Sequence, residues 1–113
     1  MQNKPRFHTA LPKRRLQIGE FTLILLGDIE SSDGIAYRYI LAVMQQGDPE
    51  PGIYLTCEPQ PGNQYAMRLI MRDGAEILAS SDDWNDADVF MEAALETVKK
   101  LLNLGDEQAF DLS

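Results

Sequence analysis

The sequence predicts an α+β fold, an antiparallel five-stranded β-meander followed by one C-terminal α-helix packed on one sheet face. Three observations predict it. Apolar side chains alternate with period two between residues 16 and 80, and after Ser81 the period lengthens to three- and four-residue steps. The segments between the alternating runs are short and rich in turn formers, which favours neighbouring antiparallel strands.

The first strand carries Phe21, Leu23 and Leu25 on one face, with Ile18, Glu20, Thr22 and Ile24 on the other. A polar loop from Asp28 to Gly34 precedes a second run. There Ile35, Tyr37, Tyr39, Leu41 and Val43 point one way and Ala36, Arg38, Ile40, Ala42 and Met44 the other. Gln45 to Gly52 holds two prolines and two glycines and reads as a loop. Ile53, Leu55 and Cys57 then alternate with Tyr54, Thr56 and Glu58. After the turn at Pro59, Pro61, Gly62 and Asn63, Tyr65, Met67, Leu69 and Met71 alternate with Ala66, Arg68, Ile70 and Arg72. Asp73-Gly74 is the strongest hairpin signal, because a type I′ turn needs positive φ at both central residues. A short fifth strand, Ala75 to Ala79, follows.

In the helix, Ala87, Met91, Ala94, Val98 and Leu101 form a stripe that Phe90, Leu95 and Leu102 widen. Asn85 is the expected N-cap, Trp84 the expected staple onto Val89, and Asp86 and Asp88 complement the positive end of the helix dipole. Lys99 and Lys100 suit the last turn and Gly105 the C′ position. The sheet face with Tyr37, Leu41, Ile53, Leu55, Met67, Leu69 and Ile77 is the more apolar, so the helix is expected there.

Ten Lys and Arg stand against eighteen Asp and Glu. Five of the bases (Lys4, Arg6, Lys13, Arg14 and Arg15) lie in the first fifteen residues, which contain no acid. The expected organisation is a basic arm over 1–15, flexible or loosely docked, one α+β domain over 16–105, and an acidic tail over 106–113. With 44% apolar and 25% charged residues, the chain has enough to bury for wholesale disorder to be excluded. The acidic body would repel phosphate backbones, so no nucleic-acid partner is expected. The longest apolar run, Tyr39 to Met44, falls far short of the ~18 residues of a membrane span, and residues 1–15 lack the apolar core of a secretory signal. Cys57 is the only cysteine and His8 the only histidine, so an intramolecular disulfide and a Cys/His metal site are out of reach. The chain is therefore expected in the reducing cytoplasm.

No candidate catalytic set emerges. Cys57 falls on an apolar strand phase, where a free cysteine is a small hydrophobe. Its one possible histidine partner, His8, lies in the arm. Asp82, Asp83, Asp86 and Asp88 lack the glycine and distal glutamate of a calcium loop and are explained by helix-start electrostatics. Glu20, Glu58 and Glu76 lie on strands whose mutual distances the sequence leaves open. Neither GxxxxGK[ST] nor GxGxxG occurs, and no cofactor or metal is implied.

The second sheet face is the most informative feature. Alternation places Arg38, Arg68 and Arg72 on it together with Ile40, Met44, Tyr54 and Ile70, and such residues are enriched at protein interfaces. Arg38, Ile40, Tyr54, Arg68, Ile70 and Arg72 are therefore the candidate interaction residues. The plainer reading is that residues 1–15 fold back and cover this face. The expected function is a small acidic, non-enzymatic protein-interaction module, adaptor or chaperone-like. It would associate through that face or an edge strand, with a protein partner or a second copy in a homodimer, and with no membrane partner. The alternative is a small ligand-binding domain or enzyme with a pocket between sheet and helix. On the first reading Arg68→Glu weakens association and leaves the melting temperature within a few degrees, as surface changes do. In general build, an acidic domain of curved strands closed by a C-terminal helix resembles pleckstrin-homology-type modules and small acidic secretion chaperones. The former have more strands than the five read here. The latter begin with a helix, which Pro5 and Pro12 oppose.

Overall fold

The computed structural model describes residues 4–112. Seven strands and one helix follow in the order β1 (Phe7–Ile18), β2 (Phe21–Ser31), β3 (Tyr39–Gln45), β4 (Ile53–Gln60), β5 (Gln64–Met71), β6 (Gly74–Ser81), α1 (Ala87–Leu101) and β7 (Ala109–Asp111). All strand pairs are antiparallel, and the sheet order is β6-β5-β4-β3-β2-β1-β7. The α+β class, the antiparallel meander and the C-terminal helix agree with the sequence. The strand number does not, being seven rather than five.

Both additional strands come from the chain ends. Residues 7–15, expected in an arm, form most of β1, which turns into β2 through Gly19-Glu20 with Ile18 opposite Phe21. Gly19 has φ +57°, as the first central residue of a two-residue hairpin turn requires. Near the C-terminus, Ala109, Phe110 and Asp111 pair with Ile18, Gln17 and Leu16, and the Leu112 N–H donates to the Arg15 carbonyl at 2.9 Å.

Residue parity decides which side chains meet the helix, and loop length decides where parity holds. From β2 to β5 the odd positions Leu23, Leu25, Tyr39, Leu41, Val43, Ile53, Leu55, Cys57, Met67 and Leu69 are buried with Phe90, Met91, Ala94 and Val98 of α1. Each loop in this stretch keeps odd opposite odd. The two-residue loops invert parity instead. Ile18, expected away from the helix, is buried beneath it with Leu16, because it pairs with the odd residue Phe21. The β5–β6 loop is Arg72-Asp73 rather than Asp73-Gly74, and neither residue has positive φ, so no type I′ turn forms. Ile77 consequently pairs with Arg68 on the second face and does not lie under the helix. Tyr37 and Ile35 also leave the expected face. They precede β3, where the Tyr37 hydroxyl and the Ile35 N–H donate to the Asp33 carboxylate at 2.5 and 3.0 Å, and they join the second face.

Helix α1 is capped by Asp86, not Asn85. The Asp86 carboxylate accepts from the N–H groups of Asp88 and Val89 at 2.9 and 3.2 Å. Trp84 packs edge-on against Phe90, 5.7 Å between ring centroids, and Tyr39 stacks on the same ring at 5.9 Å. Lys99 and Lys100 occupy the last turn as expected. The left-handed C′ position is filled by Asn103 (φ +56°) rather than Gly105. The Leu104 N–H returns to the Lys99 carbonyl at 2.7 Å and Asn103 N–H to that of Lys100 at 3.4 Å.

Candidate interaction surface

The second face of the sheet is a small core in its own right. Three register shifts bend the β1–β2 hairpin, and extra residues of that kind increase strand twist. Its distal end folds over the even positions of the meander. Phe7, Leu26, Ile29 and Ile35 pack against buried Tyr37, Ile40, Ala42, Tyr54 and Ile70. Pro5 is buried as well. The N-terminal segment thus covers much of the face that alternation singled out.

The six candidate residues part company. Ile40, Tyr54 and Ile70 are buried beneath that cover. Arg68 stays on the face, but its Nη2 donates to the Glu58 carboxylate at 3.0 Å. Glu58 is only 5% exposed and also accepts the Thr56 hydroxyl at 2.5 Å. The arginine therefore neutralises a buried acid of its own chain. Arg38 is not on this face. It precedes β3, lies over the Tyr39 ring at 4.7 Å and donates through Nε to the Asn85 side chain at 2.8 Å, beside the start of α1. Arg72 is in the β5–β6 loop and exposed. The structure brings Ile40, Tyr54, Arg68 and Ile70 together and separates Arg38 and Arg72 from them.

The other reactive groups do not converge. Cys57 is fully buried, its Sγ 3.5 Å from the Trp84 carbonyl, and burial pushes its thiol up to about 12. His8 is exposed on β1 and forms no pair with it. Glu20 accepts from Gln45 at 2.6 Å in the first hairpin, Glu58 is held by Arg68, and Glu76 is exposed on β6. Asp86 caps the helix, Asp83 bonds Ser81, and Asp88 lies 3.6 Å from Arg14. Among the described residues no group of three or more His, Cys, Asp or Glu is placed to hold a metal ion. No helix among them is long and apolar enough to cross a membrane. Between α1 and the sheet, Leu41, Leu55, Met67, Phe90 and Met91 are packed with essentially no exposure, so that space is filled by side chains.

What remains open is the edge formed by β6. Eight residues long, it ends the sheet, and every side chain from Ala75 to Ser80 is exposed. Ile77 and Leu78 stand 58% and 40% exposed. A register shift opposite Met67 and Arg68 leaves Leu78 without a cross-strand partner. The strand carries one charge, Glu76, and neither Lys nor Pro. The opposite edge differs. There β1 carries Pro12, Lys13 and Arg14, the residue types that discourage strand addition, and β7 occupies the remainder. The Ala75–Ala79 run was legible as a strand, but its position at the end of the sheet was not. Comparison of the chain with protein-family models, curated proteins and solved structures finds no match.

Proposed function

We propose that this protein is a non-enzymatic interaction module that associates by strand addition at β6, with a second copy of itself as the partner. The observation that carries this reading is the contrast between the two sheet edges. One is blocked by proline, cations and a covering strand, whereas the other is an eight-residue strand paired only on its β5 side, with two exposed aliphatic side chains. Antiparallel pairing of β6 with its symmetry copy is isologous, so it consumes both open edges at once and closes the assembly as a dimer. The partner is a protein rather than a nucleic acid or a membrane, because the acidic body repels phosphate-rich surfaces. A single buried thiol suits a reducing compartment such as the cytoplasm.

Sedimentation of the purified chain over a range of concentrations tests the proposal. The expected result is a monomer–dimer equilibrium that Leu78→Lys shifts to monomer by about tenfold in Kd, a charge on an edge strand being a recurrent block to pairing. Amide exchange in β6 should slow on dimerisation. A chain that stays monomeric at millimolar concentration, or a dimer unchanged by Leu78→Lys, would overturn it.

A further inference from the structure

The cover over the second face is incomplete. Beside the N-terminal segment lies a hollow of about 540 Å³, lined by Lys4, Pro5, Arg6, Phe7, Leu26, Ser32, Ala42, Pro51 and Tyr54. That volume lies within the ~300–1,000 Å³ usual for small-molecule sites. The lining divides by chemistry. Phe7, Leu26, Ala42 and Pro51 supply apolar surface, while Lys4 and Arg6 flank the buried Pro5 and are exposed.

Two observations point to an anion. Among the described residues, neither the Lys4 ammonium nor the Arg6 guanidinium has a carboxylate at ion-pair distance, although the chain carries an excess of acid. The second concerns Tyr54, which is 5% exposed and lines the same hollow. Its hydroxyl has no hydrogen-bond partner among the described residues. The hydroxyl is not enclosed, Arg68 Nε being the buried side-chain atom left without a partner among the described residues, so it opens onto the hollow and is free to donate to what occupies it. One carboxylate, Glu50, acts on the Tyr54 hydroxyl, and the two unpaired cations outweigh it. The cations and the hydroxyl, lining a hollow with apolar walls, form a set complementary to a carboxylate on a short aliphatic chain.

We infer that this hollow binds a free aliphatic carboxylate, its head group held by Lys4, Arg6 and the Tyr54 hydroxyl and its chain lying against Phe7, Leu26 and Ala42. The guanidinium and ammonium donate charge-assisted hydrogen bonds to the carboxylate, and the hydroxyl donates a third. None of the lining residues belongs to β6, so the site stands independently of strand addition there.

Titration of the full-length chain with sodium octanoate, followed by amide chemical shifts and calorimetry, tests the assignment, with 1-octanol as the uncharged probe. Octanoate should bind saturably at one site, with shifts centred on residues 4–7, Ala42 and Tyr54, and 1-octanol should bind at least ~10-fold more weakly. Lys4→Gln/Arg6→Gln, on exposed side chains, should lose about tenfold in octanoate affinity. Tyr54→Phe should lose roughly three- to tenfold at an unchanged melting temperature, since its hydroxyl is open to solvent and bonds nothing among the described residues. Three results would overturn the assignment: no saturable binding of octanoate, equal affinity for octanoate and 1-octanol, or full affinity in the double variant. Shifts centred on Ile77 and Leu78 instead would also overturn it.

Discussion

Replacing Arg68 by Met probes the buried ion pair on which the second face rests. Glu58 is 5% exposed, and its carboxylate is held by Arg68 Nη2 at 3.0 Å and by the Thr56 hydroxyl. Removing one member of a buried pair strands the other and costs ~3–5 kcal/mol. Two features place this case at the lower end. The Arg68 side chain is 33% exposed, so water can relax around the vacated position. Its Nε is buried without an acceptor, and deleting that donor recovers ~1 kcal/mol. The expected loss is about 2–3 kcal/mol, or a fall of roughly 10–20 °C in Tm for a domain of this size. Arg68→Glu should fall further, because it places a second carboxylate against Glu58. This reverses the small Tm change expected from sequence. In Glu58→Gln/Arg68→Met the buried group is neutral and its carbonyl still accepts the Thr56 hydroxyl, so most of the stability should return, to within ~1 kcal/mol of the parent. Thermal and urea unfolding followed by circular dichroism measure all four proteins. If Arg68→Met unfolds within ~0.5 kcal/mol of the parent, or the double variant is no better than the single, the pair does not carry this energy.

Three further outcomes follow from the same geometry. Phe90→Ala removes a fully buried ring that touches both Tyr39 and Trp84, and should cost ~3–5 kcal/mol in urea unfolding, against ~0.5 kcal/mol or less for a surface change; a loss below ~1.5 kcal/mol would contradict the packing described. Cys57 should resist thiol reagents at pH 8 until denaturant is added, because its thiol is buried and pushed up to about 12; labelling of the native chain at the rate of a free thiol would refute this. Burial acts to raise the Asp33 carboxyl, but the hydrogen bonds from Tyr37 and from the Arg6 and Ile35 N–H groups outweigh it and hold the group below its ordinary value of 3.8. Its contribution is thus present above that value and is lost as pH falls through the lower folded one. The Tm difference between the parent and Asp33→Asn should shrink below pH ~4, and a difference constant from pH 3 to 6 would refute the assignment.

The candidate site was only half legible, for reasons specific to each residue. Tyr54, Ile70 and Ile40 stand on the expected face because β3 to β5 are joined by loops that preserve parity. Arg38 was misplaced because the Asp33 turn delays the start of β3 to Tyr39, so alternation could not be extended back through Arg38. Arg72 was misplaced because the hairpin turns one residue earlier than Asp73-Gly74 suggests. Glu58 read as a surface alternation residue. Its burial beside Arg68 depends on a cross-strand row, Ile40, Thr56, Arg68 and Ile77, that only the register assembles.

By itself the sequence determined the class, the helix, the Phe90, Met91, Ala94 and Val98 part of its buried stripe (Leu101, expected in it, is exposed at the end of the helix), and the inward set of β2 to β5. These follow from local periodicity, a property of the backbone geometry within each element. Only the tertiary structure decided that the basic N-terminal residues become β1, that residues 109–111 become β7, and that the hairpin end folds over the second face. Those outcomes depend on long-range pairing, which compensates the backbone groups of a segment too polar to show a pattern of its own. Parity through the Gly19-Glu20 and Arg72-Asp73 turns was likewise undecidable along the chain. A two-residue loop reverses which parity faces the core, and its length is set by the register of the strands it joins.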